Sequence, residues 1–226
     1  MRKRLALTGL LLLALVLAPA GCVSPQAVTA PPEKPTFDPV AIYEKAAPAT
    51  WTVLVNTVDG WWAKGSAFSV NSPGNVLTAY HVVKDYKEFR LVDWDGDTTY
   101  TATVKRFDAK ADLALLEIGN PSKTAYLGLA PEVPKVGEDV ALISSPITNG
   151  NRANGYIGAT LTVGRVAQRL SGELVVDVEA MHGSSGGAIL DREGCVVGLL
   201  LGAASETSDL HGAAPRDDLA SFLSGR

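Results

Sequence analysis

Along most of the chain, apolar and polar residues alternate in short runs broken by glycine, proline, asparagine and aspartate, the pattern of strands joined by tight turns. From Trp51 the period predicts a strand over 52–58, a hairpin of 65–70 with 75–78, a second hairpin of 88–94 with 98–107, and a sixth strand over 113–118. The rhythm recurs at 139–144, 155–168, 173–178, 187–190, 195–201 and 211–214. Two segments depart from it. Over 37–47 the apolar spacing is three to four behind Asp38 and Pro39, which predicts a capped helix with proline in its first turn, and 216–223 reads as a closing helix. Six short strands in each half predict an all-β fold of two six-stranded antiparallel barrels, about 37–120 and 121–226.

The start of the chain follows neither period. Arg2, Lys3 and Arg4 precede an almost wholly aliphatic run over 5–18, too short for a membrane span of roughly twenty residues, so 1–22 reads as a secretory signal. Leu17-Ala18-Pro19-Ala20-Gly21-Cys22 resembles a bacterial lipobox, with Cys22 as the lipidated first residue of an exported, membrane-anchored protein. Pro19 departs from that pattern, where a branched aliphatic residue is usual, and leaves a secreted soluble product as the alternative. Prolines at 25, 31, 32 and 35 make 23–36 a tether. The formal charge is −4, and loss of Arg2, Lys3 and Arg4 takes it to −7, which argues against nucleic acid as a partner. With Cys22 and Cys195 the only cysteines, no disulfide framework is expected, and Cys195 reads as a buried thiol in a strand. No metal-ligand spacing or phosphate loop is present, so neither a metal nor a cofactor is expected.

Three stretches carry candidate chemistry. Gly183-Ser184-Ser185-Gly186-Gly187 runs straight into an apolar strand, and its glycines permit the tight turn that a nucleophile loop needs. His81 follows one apolar strand and Asp112 precedes another. Histidine, then aspartate, then serine is the order of the chymotrypsin-type triad. The Gly183-x-Ser185-x-Gly187 spacing also fits the elbow of an α/β-hydrolase esterase. That fold needs an aspartate and then a histidine after its serine, and the tail bearing Asp191, Asp209 and His211 is too short for the strands and helices that would remain.

Over most of 42–223 these residues resemble trypsin-like serine proteases, and among them the bacterial HtrA (Deg) type. Gly65-Ser66-Ala67-Phe68 with Asn75-Val76-Leu77-Thr78 and His81-Val82-Val83, then Asp112-Leu113-Ala114-Leu115-Leu116, Gly164-Arg165-Val166, the Ser185 loop, Gly194-Cys195-Val196-Val197-Gly198 and Ala213-Ala214-Pro215 follow in the family's order. The resemblance implies a serine endopeptidase acting on proteins or peptides, with His81 as base, Asp112 as its orienting acid and Ser185 as nucleophile. The N–H groups of Gly183 and Ser185 would form the oxyanion hole. Ser184 stands where the family usually has asparagine and digestive proteases have an aspartate, so activation by a cut N-terminus is not expected. The chain ends 41 residues beyond Ser185, and no PDZ domain is expected. A binding or scaffold domain with a latent site is the alternative.

The same resemblance makes the strand bearing Leu201, Gly202 and Ala203 a wall of the primary specificity pocket, whose apolar lining predicts cleavage after aliphatic residues. Glu179, six residues before Ser185, is the competing indication of a basic preference. His182 reads as a solvent-facing loop residue, His211 as structural, and Trp61 and Trp62 as a turn region packing over a hairpin.

Overall fold

The computed structural model describes residues 35–119, 125–147, 158–203 and 209–225. The signal, Cys22 and nearly all of the proline-rich tether lie outside them. Helix α1 (Pro39–Ala46) begins where Asp38 accepts from the N–H groups of Val40 and Ala41, at 3.0 and 3.2 Å, with Pro39 in the first turn. Strands β1 (Thr50–Thr57), β2 (Gly60–Ser69), β3 (Asn75–Ala79), β4 (Phe89–Asp93), β5 (Thr99–Asp108) and β6 (Leu113–Ile118) close an antiparallel barrel in the order β1-β2-β3-β6-β5-β4. A single turn, α2 (Tyr80–Val83), follows β3. Strands β7 (Asp139–Ser144), β8 (Thr160–Leu170), β9 (Glu173–Asp177), β10 (Ala188–Leu190), β11 (Val196–Ala203) and β12 (His211–Pro215) close a second barrel, β10-β11-β12-β9-β8-β7, and α3 (Arg216–Ser224) ends the chain.

The two barrels share apolar packing. Leu77, Val82 and Leu116 of the first belong to one buried cluster with Ile143, Leu190 and Leu199 of the second, while Val140, Leu142, Val176, Ile189 and Val197 fill the second barrel alone. Burial of each such side chain contributes about 1.5–3 kcal/mol. From the far side, α3 reaches back to the first barrel: Arg106 of β5 lies over the Phe222 ring, 4.6 Å from its centroid, and donates to the Phe222 carbonyl. Ser69 accepts the indole N–H of fully buried Trp51 at 2.8 Å.

Three expectations change. Trp61 and Trp62 lie on β2 rather than in a turn. A bulge pairs Val53 with Gly65 but Leu54 with Ala63, leaving exposed Lys64 as the extra residue and interrupting the alternation by which the strand would have been read back to Gly60. The guanidinium of Arg90 stacks over Trp61, 4.1 Å from the ring centroid. Cys195 is half-buried in the turn before β11, not within it. Burial pushes its thiol pKa up; Asp191 adds to the shift, and Lys45, 3.9 Å away, opposes it. Finally, β8 starts at Thr160, and the part of the expected strand before 158 lies outside the described residues.

Candidate active site

Strand pairing brings His81 and Asp112 together. In the β3–β6 ladder Ala79 faces Leu113, so the residues just beyond that pair meet at the barrel rim, where the Tyr80 N–H donates to the Asp112 carbonyl at 2.9 Å. The Asp112 carboxylate then serves the histidine twice. Oδ1 accepts from the His81 backbone N–H at 2.8 Å, and Oδ2 lies 2.6 Å from Nδ1. A carboxylate on Nδ1–H leaves the lone pair on Nε2, the form of imidazole that accepts a proton. Asp112 holds this pose at φ +54°, a left-handed conformation that aspartate tolerates better than most residues. The His81 side chain remains 38% exposed, open to a substrate.

The serine loop is tied to the opposite barrel through Ser66 of β2. Its buried hydroxyl donates to the Gly183 carbonyl at 2.6 Å and accepts from the Ser145 N–H at 2.7 Å, and its backbone N–H donates to the Ser185 carbonyl at 2.9 Å. Gly65 beside it lies between the two halves of the site. A Cβ there would meet Val82, the neighbour of His81, at 2.7 Å and the Ser185 carbonyl at 3.1 Å. Ser184 is buried within the loop, its hydroxyl accepting from the Met181 N–H at 3.2 Å and from the Ser144 hydroxyl at 3.2 Å. Gly186, at φ +88°, has no room for a side chain, since a Cβ would fall 2.1 Å from the Ser66 carbonyl.

With the loop so held, the N–H groups of Gly183 and Ser185 have no hydrogen-bond partner among the described residues. Two unpaired donors beside a serine hydroxyl can receive a developing oxyanion. The Ser185 Oγ donates to the Leu201 carbonyl at 3.0 Å, and among the described residues it makes no hydrogen bond to His81. That carbonyl comes from the bulged stretch of β11, where pairing with β12 shifts between Leu200 and Gly202.

A cavity of about 620 Å³ opens next to Ser185, lined by Ile147, Ala180, Met181, His182, Gly183, Leu200, Gly202 and His211. Of the residues expected to contact substrate, Gly202 is there, Leu201 contributes its carbonyl to Ser185, and the backbone of Ala203 pairs with His211 in the β11–β12 ladder. Glu179 is exposed and lines no part of it; its carbonyl accepts from the Thr162 hydroxyl at 2.7 Å. His182 is solvent-exposed as expected but also reaches the cavity, and His211, read as structural, is in its wall. The sequence reading missed Ser66 as a positioning residue, though its place next to Gly65 in the first-barrel block was the available signal.

The trypsin-like peptidase domain model matches residues 65–199. Serine protease HTRA1B of Danio rerio is 32% identical over 166 residues, covering 71% of this chain and 34% of that protein. A probable periplasmic serine endoprotease, DegP-like, of Rhizobium meliloti is 30% identical over 146 residues, covering 61% of this chain and 27% of its own length. This chain thus spans about a third of the curated relatives it matches. In three dimensions the serine endoprotease from Yersinia pestis superposes with a TM-score of 0.71 at 23% identity, over 85% of this chain and 67% of that one. The matched segment is the one that carries His81, Asp112 and the Ser185 loop on two closed barrels, and the chain belongs to the trypsin-like peptidase domain family.

Proposed function

We propose that this protein is an exported serine endopeptidase that hydrolyses peptide bonds of proteins through His81, Asp112 and Ser185. The reading rests above all on the pair of contacts from one Asp112 carboxylate to His81, which supplies an oriented base at the edge of the cleft. His81 Nε2 takes the Ser185 proton as Oγ attacks the peptide carbonyl. The resulting oxyanion lies against the N–H groups of Gly183 and Ser185, each such donor being worth about 2.7–4 kcal/mol. His81 then passes the proton to the leaving amine, giving an acyl-enzyme that water hydrolyses by the same relay. No residue of the site requires a metal or cofactor for this chemistry. Because a relative is named as periplasmic, and because 1–22 reads as a signal ending at Cys22, we place the domain in a bacterial cell envelope, on a lipid anchor, with a part in protein quality control there.

One observation favours a second reading, a latent or purely binding site: the Ser185 hydroxyl is engaged by the Leu201 carbonyl rather than by His81. In the endopeptidase reading this bond is exchanged for one to His81 when a peptide lies along β11. Hydrolysis of an unfolded protein by the wild type, and loss of at least about 10³-fold in kcat in Ser185→Ala, is the expected outcome. Equal turnover by both proteins would remove Ser185 from the reaction.

A further inference from the structure

His211 is left unexplained by the chemistry above. It opens β12, pairs with Ala203 of β11 and Val176 of β9, and lines the cavity beside Ser185. Its Nδ1 is shut off from solvent, and among the described residues neither ring nitrogen has a hydrogen-bond partner. A buried polar atom without a partner is destabilising and uncommon, and because this one is closed to solvent at rest, a turn of the His211 ring toward the pocket is what lets a ligand supply the partner. Glu173, near Gly212, does not fill that role. Successive residues of a strand face opposite sides, so the face of β12 that Glu173 covers is not the one that carries the His211 ring.

The rest of the lining narrows what the ligand must be. Ile147, Ala180, Met181 and Leu200 are apolar, and among the described residues no carboxylate, lysine or arginine lines the pocket. A basic side chain would find no counter-ion among these described residues. An aliphatic one would cover the apolar wall yet leave the imidazole unpaired. A side chain with two methylenes ending in an oxygen satisfies both, its methylenes against Ile147 and Leu200 and its oxygen accepting from an imidazole N–H. All three histidines of the chain are accounted for around this one site: His81 pairs with Asp112, and His182 and His211 both line the pocket.

Building on the endopeptidase reading, we infer that His211 is the specificity-determining residue of the primary pocket and selects glutamine or glutamate before the scissile bond. This replaces the aliphatic preference expected from the strand sequence alone.

The test uses the full chain and peptides identical except for Gln, Glu, Leu, Val or Arg before the scissile bond, with rates normalised to the fraction of protein labelled by a fluorophosphonate. Glutamine or glutamate should exceed leucine and valine by roughly tenfold in kcat/KM, the scale of one hydrogen bond to a buried donor; which of the two leads assigns a carboxamide or a carboxylate. His211→Leu should abolish or reverse that order, and His211→Gln, which keeps a donor, should retain part of it. A wild-type preference for leucine or valine, unmoved by His211→Leu, would overturn the inference. If the wild type neither labels nor cleaves, the hydrolytic reading fails on its own. The pocket is then read by calorimetry of the same peptides binding to Ser185→Ala: tighter binding of the glutamine or glutamate peptide, lost when His211→Leu is added, upholds the assignment, and equal or tighter binding of the leucine peptide refutes it.

Discussion

Asp112 is the residue on which most of the site's geometry depends, because one carboxylate positions both the backbone and the ring of His81. Its left-handed backbone costs about 1–2 kcal/mol, a strain of the kind that active sites hold. Asp112→Asn retains an acceptor for the His81 N–H and tolerates the same φ, so the fold should survive with a melting temperature close to the wild type. Its amide would stabilise the wrong imidazole tautomer, and kcat should fall about 10⁴-fold. A parallel loss of folding would instead make Asp112 structural. Both members of this pair were legible in the sequence because each abuts the end of an apolar strand. His211 was not. Nothing in a five-residue strand of small residues says which of its faces turns toward a pocket, and its missing partner is visible only in three dimensions.

At the scale of elements, the Ser185 loop gets its shape from another barrel. Ser66 on β2 holds Gly183, Ser185 and Ser145 by three hydrogen bonds, and a fourth reaches it from Thr78, whose hydroxyl donates to the Ser66 carbonyl at 2.7 Å. Ser66→Ala removes the hydroxyl alone. It leaves the buried Ser145 N–H and the half-buried Gly183 carbonyl unpaired, a loss of about 1–3 kcal/mol in stability. Since Ser66 anchors the residue whose N–H is the proposed oxyanion donor, the same change should lower kcat more than it raises KM. Chemical denaturation and steady-state kinetics of that variant would check both, and an effect on KM alone would mean that the contact serves substrate binding. The strands themselves were largely readable from alternation, and β6 and β7 fall where the period sets them. Alternation failed at β2, where the bulge at Lys64 inserts one residue and puts the preceding ones out of phase. It was also silent about the Leu201 carbonyl, because a backbone acceptor exposed by a bulge has no side-chain signature.

For the whole molecule, two barrels share one apolar cluster, with His81 and Asp112 carried by the first and Ser185 by the second. The two-barrel architecture followed from counting strands, whereas the cleft depends on contacts between residues far apart in sequence, such as Ser66 and Gly183. The proposed export and anchoring belong to this scale as well. Mass spectrometry of the mature N-terminus should find a lipid-modified Cys22; an unmodified start elsewhere, or a retained 1–22 segment, would dismiss the anchor while leaving the catalytic account intact. That account is tested most directly by treating the folded protein with a fluorophosphonate and mapping the adduct by peptide mass. Covalent labelling at Ser185 alone, strongly slowed in His81→Ala, is the predicted result, and a folded wild type that takes up no label, or takes it up elsewhere, would contradict it.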